Sequence, residues 1–172
     1  MRKSLNITAL ALAVVCVLGS CSGGQNENKA TAVDNTVEPG VANSEAVDEN
    51  AIQLEANDQM QFNMQEIKVK AGEEVTLVFK HTGKMDKSIM GHNFVLLKKG
   101  VDLAAFTQKA ALAKDHDYIP ADETSNVLAH TKVIGGGETT SVKFTVPAQG
   151  TYDFLCSFPA HAALMKGKLI AE

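Results

Sequence analysis

Residues 151–165 read TYDFLCSFPAHAALM. The first five residues are rich in β-branched and aromatic side chains, which predicts a strand that ends directly before Cys156. His161 lies five positions after Cys156, and Met165 lies four positions after His161. Thiolate, imidazole and thioether groups form a soft or borderline donor set, which favours copper over magnesium or calcium. The stretch therefore predicts a strand joined to a short metal-binding loop.

A second imidazole is available far upstream, at His92 in the segment MGHN of residues 90–93. With His92 the chain offers two His, one Cys and a candidate axial Met, which is the ligand set of blue-copper electron-transfer sites. Each residue alone has a simpler explanation, because a free Cys is often a small buried hydrophobe and a Met often fills core space. The joint Cys-His-Met spacing within residues 156–165 favours the metal-binding interpretation.

The rest of the domain predicts a β scaffold for this loop. Alternating patterns predict further strands at residues 51–55, 66–70, 75–80, 93–97, 139–146 and 168–170. The Ala-rich residues 101–114 predict one helix, and residues 115–131 predict a loop. Short strands with regular turns predict a mostly β fold, an antiparallel sandwich or barrel with one short helix inserted between strands. Such a scaffold holds metal ligands rigidly at its strand ends.

The start of the chain predicts an export signal at residues 1–20. A basic start precedes the apolar run of residues 7–18, which is shorter than the roughly 20 residues of a membrane span and typical of a signal peptide. The run ends in LGSC at residues 18–21, which resembles the bacterial lipobox. That resemblance implies lipid modification of Cys21 and attachment of the mature protein to a membrane. A plain secretory peptide with a chance Cys at the cleavage point is the alternative.

Residues 21–50 predict a lipidated N-terminus followed by a flexible acidic tether. Residues 22–50 contain one Lys, six acidic residues and no aromatic residue, so they offer too little apolar surface to fold. A plain disordered extension is the alternative to a tether with a function. The folded domain is predicted to occupy residues 51–172.

Charge, cysteine count and motifs exclude several classes of protein. The formal net charge of −4 gives no indication of nucleic-acid binding. Cys156 is the only cysteine of residues 51–172, so the domain has no internal disulfide. No Ser-His-Asp order, phosphate loop or paired-carboxylate pattern stands out, and the protein is predicted not to be an enzyme.

Four segments of the domain point to a known family, and they are NDQMQFN at residues 57–63, MGHNFVL at 90–96, HTKVIG at 130–135 and CSFPAHAALMKG at 156–167. In these segments the chain resembles azurins, small bacterial copper proteins of the cupredoxin family. The order of all four segments matches, and plastocyanin-like relatives have a shorter gap between Cys and His. The chain thus resembles a lipid-anchored form of this family, and the resemblance implies a cupredoxin Greek-key β-sandwich.

The resemblance also implies one type 1 copper site and the role of each ligand. His92, Cys156 and His161 would be the equatorial ligands. Met165 would be the weak axial ligand, and the carbonyl of Gly91 a distant axial oxygen. In addition, Asn93 would brace the ligand loops, His81 would lie near the site without binding metal, and an apolar patch around His161 would comprise Met90, Phe158, Pro159, Ala160 and Ala163.

The function that the resemblance implies is one-electron transfer by Cu(II)/Cu(I) cycling between membrane-associated redox proteins. Such partners would be c-type cytochromes or a terminal oxidase or reductase. The protein would be a monomer in the cell envelope of a Gram-negative bacterium, anchored to the outer membrane through Cys21 with its domain facing the periplasm or the surface. A copper-binding protein for sequestration or delivery is the main alternative. A copper enzyme would need an open coordination position, which this ligand set does not leave.

Two features depart from the azurin pattern. Azurins usually carry a disulfide near the start of the domain, whereas the corresponding positions here are Asn50 and Glu73. Loss of such a crosslink typically costs about 2–5 kcal/mol of stability. The chain also contains no Trp, so the core Trp common in azurins is absent. Neither departure touches the predicted ligands.

Overall fold

The computed structural model describes residues 51–172. The predicted signal peptide, Cys21 and the predicted tether of residues 21–50 lie outside the described residues. Across the part that the structure describes, no helix has the length and apolar character needed to span a bilayer.

Eight strands form two sheets within residues 51–172. The strands are β1 (Ile52–Ala56), β2 (Glu66–Val69), β3 (Glu74–His81), β4 (Val95–Leu97), β5 (Val127–His130), β6 (Thr139–Thr145), β7 (Gly150–Leu155) and β8 (Lys166–Ala171). One sheet has the order β1-β3-β6, and the other has the order β2-β8-β7-β4-β5. The β1–β3 and β2–β8 pairs are parallel, and the other pairs are antiparallel. The fold is therefore a two-sheet sandwich with mixed sheets rather than a purely antiparallel one.

Period-2 alternation along β7 decides which side chains enter the sandwich. Tyr152, Phe154 and Cys156 all lie in the main core between the two sheets. Leu155 points to the opposite face, where it belongs to a second apolar cluster with Phe106. Successive side chains of a strand point to opposite faces. The strand that leads into Cys156 therefore delivers its thiol to the interior of the sandwich.

The second cluster is covered by the helix α2 (Leu103–Ala110). The Asp102 carboxylate caps α2 by accepting hydrogen bonds from the backbone N–H groups of Ala104 and Ala105, at 2.9 and 3.1 Å. The predicted helix of residues 101–114 is too long at its C-terminal end. Leu112 is 88 % exposed, so nothing packs there to support a further helical turn.

The prediction of a loop at residues 115–131 is wrong in part. The chain forms 3₁₀ turns at Lys114–His116 and Ala121–Asn126, and then the strand β5. β5 has little alternation of its own and forms because it pairs with β4, with Val95 opposite His130. A one-turn helix, α1 (Lys87–Met90), was also not expected; the Asp86 carboxylate caps it through the N–H of Ser88 at 2.7 Å.

Candidate metal centre

The candidate ligands lie at one end of the sandwich. Cys156 directly follows β7, His161 begins the 3₁₀ turn His161–Ala163, and Met165 directly precedes β8. His92 lies between α1 and β4. Pairing of Val95 with Leu155 places the entry to β4 beside the exit from β7. Antiparallel pairing of these two strands thus brings His92 next to Cys156.

Three donor atoms converge at this end. The Sγ atom of Cys156 lies 3.9 Å from Nδ1 of His92 and 3.8 Å from Nδ1 of His161. The two Nδ1 atoms are 3.1 Å apart. The three residues are buried, and His161 is the most exposed of them at 4 %. Two nitrogen donors and one sulfur donor therefore face a common point that is shielded from water.

The ring of His92 is fixed in the tautomer that metal binding needs. Its Nε2 lies 3.0 Å from the backbone carbonyl of Asn57, which can only accept, so Nε2 carries the proton. Nδ1 is then free of a proton and faces Cys156. Burial, together with the nearby rings of His81 and His161, lowers the pKa of His92 to about 4. Burial also lowers the pKa of His161.

Burial has the opposite consequence for the thiol of Cys156. It raises the pKa of Cys156 to about 12. The backbone N–H groups of Asn93 and Phe158 hydrogen-bond to the sulfur and partly offset this effect by lowering the pKa. The thiolate is the form that binds metal. A metal that binds at this site must therefore displace the thiol proton, and the two N–H groups are in place to stabilise the resulting thiolate.

Backbone hydrogen bonds tie Met165 to Cys156 and His161, and Gly91 directly precedes His92. Met165 is fully buried; its carbonyl accepts from the N–H of Cys156 at 3.0 Å, and its N–H donates to the carbonyl of His161 at 2.8 Å. A Cβ at Gly91 would lie only 2.5 Å from the carbonyl oxygen of Lys87. No side chain fits at Gly91. Together, the Met165 thioether, two imidazoles and a thiol make up a donor set that fits copper.

Asn93 makes the bracing contacts that the resemblance implies. Its side-chain amide donates to Ser157 Oγ at 2.8 Å and to the carbonyl of Asp117 at 2.9 Å. Its side-chain oxygen accepts from the N–H of Ser157 at 2.8 Å. Because Asn93 adjoins His92 and Ser157 adjoins Cys156, these bonds tie the two ligand loops together. Such outer contacts orient ligands and tune the metal.

His81 lies beside the site but is occupied by other contacts. It is fully buried, and its ring stacks on His92 with the ring centroids 4.5 Å apart. Its Nδ1 accepts from the N–H of Gly83 at 3.0 Å, so its Nε2 carries the proton and donates to the carbonyl of Met90 at 2.9 Å. Both ring nitrogens are thus used, and His81 offers no lone pair to a metal.

The loop around His161 presents apolar side chains at the surface. Ala160 and Ala163 are exposed, whereas Met90, Phe158 and Pro159 are partly buried. Sequence reasoning missed Leu164 and Ile89, which are adjacent in the chain to members of the predicted patch and are 60 % and 62 % exposed. Apolar side chains that reach the surface in this number are typical of a contact surface.

Three contributors to the site were not predicted from the sequence: the Asn57 carbonyl, Ser157 and Asp117. The Asn57 carbonyl and the Asp117 carbonyl act through the backbone, which leaves no residue-type signal. Ser157 carries a weak signal, because it directly follows Cys156.

Ala160 has a φ of 68°, a left-handed conformation that is unusual for a residue with a Cβ.

We expect the free energy of unfolding of protein stripped of metal by a chelator to fall as the pH is lowered from about 6.5 to about 4. The unfolded chain binds a proton at His92 near pH 6.5, whereas the folded chain binds it only near pH 4. Protons in this window therefore favour the unfolded state, by about 3 kcal/mol at its lower end. Guanidinium unfolding at a series of pH values measures the effect. Equal pH dependence in the parent and in His92→Gln would contradict it.

Comparison with known proteins places this fold and site in a family. The profile of the copper-binding proteins of the plastocyanin/azurin family matches residues 48–172. Azurin-1 of Alcaligenes xylosoxydans xylosoxydans is 46 % identical over 125 residues, which cover 70 % of this chain and 96 % of that protein. Outer membrane protein H.8 of Neisseria gonorrhoeae is 45 % identical over 122 residues, which cover 69 % of this chain and 66 % of that protein.

Solved structures agree with the sequence comparison. An azurin, Az-iso2, from Methylomonas sp. strain J superimposes with a TM-score of 0.65 and 36 % identity, covering 72 % of this chain and 98 % of that one. Auracyanin from Roseiflexus castenholzii gives a TM-score of 0.64 at 36 % identity, covering 72 % and 97 %. The predicted two-sheet cupredoxin fold is confirmed.

The chain therefore belongs to the plastocyanin/azurin family of copper-binding proteins. Within that family it is an azurin homologue, and it carries the type 1 copper site at His92, Cys156, His161 and Met165. Membership makes it a non-enzymatic copper protein. The azurin resemblance and the copper cofactor predicted from the sequence are both confirmed.

Proposed function

We propose that this protein is an electron carrier that accepts one electron from a redox protein and passes it to another. Bound copper supplies the Cu(II)/Cu(I) couple for this transfer. The observation that carries the proposal is the convergence of three buried donor atoms, with Cys156 Sγ within 3.9 Å of both imidazole Nδ1 atoms. A rigid and dry site of this kind suits electron transfer, because its ligands need not rearrange when the charge changes.

The same geometry and the family resemblance support the ligand roles that we propose. His92, Cys156 and His161 would be the principal ligands of the copper, Met165 would be a weaker ligand, and the Gly91 carbonyl would be a more distant oxygen. Hydrogen bonds from the chain support this assignment, since the Asn57 carbonyl fixes the His92 ring at 3.0 Å. The two backbone N–H groups that reach Cys156 stabilise its thiolate.

Electrons enter and leave at the surface near His161. His161 is the ligand with measurable exposure, at 4 %, and its ring packs on Phe158 with centroids 4.7 Å apart. The exposed apolar residues of this loop allow a partner to dock and release without breaking ion pairs. The partners are redox proteins of the cell envelope, namely c-type cytochromes or a terminal oxidase or reductase, and the carrier itself acts as a monomer.

Burial of the ligands argues against a role in copper delivery. A delivery protein must hand its metal to a partner, which requires ligands that the partner can reach. Here the Cys156 thiol is fully buried and both imidazoles are nearly so. Release of copper would require the loop of residues 156–165 to open.

The proposed organisation of the chain is a signal peptide at residues 1–20, a lipidated Cys21 with a tether to residue 50, and the copper domain at residues 51–172. The Neisseria relative, outer membrane protein H.8, supports anchoring to the outer membrane of a Gram-negative cell envelope. The domain would then face the periplasm or the cell surface. Fractionation of cells that express the full chain or Cys21→Ser tests this, and equal membrane recovery of the two would overturn it.

The function itself is tested with copper-loaded full chain and a c-type cytochrome. An intense blue absorption band that bleaches on reduction, together with rapid re-oxidation by the cytochrome, supports the electron carrier. Transfer of copper to a chelator within seconds, with no blue band, would favour the delivery protein. Leu164→Lys, which charges the exposed loop without touching a ligand, is expected to slow the reaction with the cytochrome and to leave the band unchanged.

A further inference from the structure

Asp117 lies between the 3₁₀ turn Lys114–His116 and β5, outside the loops that carry His92 and Cys156. It nevertheless contacts residues that neighbour these two loops. Its carboxylate oxygen Oδ1 accepts from the backbone N–H of Val133 at 2.8 Å. Its backbone carbonyl accepts from the side-chain amide of Asn93 at 2.9 Å. A single residue therefore binds two segments that are forty positions apart in the chain.

The hydrogen bond between Asp117 and Val133 connects Asp117 to the backbone of His92. Val133 precedes Ile134, and Ile134 exchanges backbone hydrogen bonds with His92 at 2.8 and 3.0 Å. Bonding to Asp117 fixes the backbone at Val133, and this backbone in turn holds the backbone of the ligand. The Asp117 carboxylate thus helps to orient the imidazole of His92 without contacting it.

The hydrogen bond between Asn93 and the Asp117 carbonyl connects Asp117 to the residue that follows Cys156. The amide group of Asn93 that donates to the Asp117 carbonyl also donates to Ser157 Oγ, at 2.8 Å. Ser157 is the residue after Cys156, and its N–H donates to the other end of the Asn93 side chain, also at 2.8 Å. The carbonyl of Asp117 therefore helps to fix the orientation of the side chain that joins the two ligand loops.

The backbone at Asp117 is held in an unusual conformation for these contacts. Asp117 and Tyr118 have φ values of 51° and 57°, both in the left-handed region. Two consecutive non-glycine residues in this region cost energy, although Asp tolerates it better than most residues. Hydrogen bonds from Tyr118 N–H to Ala113 and from Ile119 N–H to His116, at 3.0 and 2.9 Å, hold the turn in place.

We propose that Asp117 is a positioning residue of the copper site, whose carboxylate and carbonyl fix the segments that carry His92 and Cys156. A substitution removes the carboxylate but leaves the backbone carbonyl in place. A charged acceptor forms a stronger hydrogen bond than a neutral one, so it holds Val133 firmly. The proposal rests on the copper centre of the proposed function, but it does not depend on the redox partner.

The test compares Asp117→Gly with Asp117→Asn in the full chain. Gly tolerates the left-handed backbone and removes the acceptor, whereas Asn tolerates the same backbone and keeps an acceptor oxygen. In the chelator-treated protein, we expect amide hydrogen exchange at Val133 and His92 to be about tenfold faster in Asp117→Gly and close to the parent rate in Asp117→Asn. In the copper-loaded protein, we expect Asp117→Gly to change the reduction potential and the copper hyperfine splitting in electron paramagnetic resonance.

Asp115→Gly is the matched control, because Asp115 is an exposed carboxylate two residues away that makes no side-chain hydrogen bond within the described residues. It is expected to leave exchange, potential and hyperfine splitting at parent values. Parent-like exchange and spectra in Asp117→Gly would overturn the proposal, and so would equal changes in Asp115→Gly. If Asp117→Gly does not fold, Asp117→Ser, whose hydroxyl is too short to reach Val133, is measured in its place. Absence of a blue band in the parent would reject the electron carrier, while the exchange measurement would still test the role of Asp117.

Discussion

Cys156→Ser is expected to abolish the intense blue absorption of the copper-loaded protein completely. The band requires a thiolate bound to copper, and Cys156 supplies the only thiolate among the three converging donor atoms. A serine hydroxyl stays protonated at neutral pH and is a harder donor, so it does not replace the thiolate. Visible absorption of the copper-loaded variant is the measurement. A blue band that persists in Cys156→Ser would show that another sulfur binds the metal.

The same variant is expected to remain folded. A hydroxyl at position 156 can accept the hydrogen bonds that the backbone N–H groups of Asn93 and Phe158 now give to the sulfur. We therefore expect its free energy of unfolding, measured without metal, to fall by only about 1 kcal/mol. Circular dichroism and guanidinium unfolding separate loss of the ligand from loss of the fold.

Met165→Leu is the matched control for Cys156→Ser. Both residues are fully buried in the same core, and Leu preserves the volume of Met while removing its sulfur. Because Met165 is proposed as the weak axial ligand, we expect the variant to keep its blue band and to change its reduction potential. Complete loss of colour in Met165→Leu would mean that the thioether is a principal ligand rather than an axial one.

Phe154→Ala is expected to lower the free energy of unfolding by about 3–5 kcal/mol. Phe154 is fully buried, and its ring lies 5.7 Å from the rings of both Phe62 and Phe94, measured between centroids. Its removal leaves a cavity at the point where β7 packs against the rest of the core. A loss of this size is a large part of the 5–15 kcal/mol that is usual for a domain. Guanidinium unfolding of the chelator-treated protein measures it.

Thr151→Ala controls for any effect of shortening a side chain on β7. Thr151 is exposed on the same strand and pairs with Ile170 of β8. Its replacement is expected to cost less than about 1 kcal/mol. Similar losses in Thr151→Ala and Phe154→Ala would mean that Phe154 contributes through strand propensity rather than through packing in the core.

Strand prediction succeeded where a segment carries its own periodic pattern. The alternation at residues 139–146 and the aromatic-rich residues 151–155 correspond to β6 and β7. β5 was missed because its stability comes from pairing with β4, which local sequence does not reveal. The helix at residues 101–114 was predicted too long for a similar reason, since only the turns that pack on the sheet at Phe106 and Ala110 remain helical.

The amino-acid sequence determined the ligand loop. Cys, His and Met within ten residues, directly after a strand, are close in space because the chain between them is short. Their soft or borderline donor chemistry favours copper over magnesium or calcium. Residues 18–21 likewise predict an export signal from their own sequence, without reference to tertiary structure.

Only the tertiary structure decided how His92 reaches Cys156. The two residues are 64 positions apart, and they meet because Val95 of β4 pairs with Leu155 of β7. The Asn57 carbonyl, a further 35 positions upstream of His92, then selects the proton-bearing nitrogen of its ring. Pairing register and backbone carbonyls have no residue-type signature. For that reason the sequence could name the ligands, whereas only the folded chain shows what holds them in place.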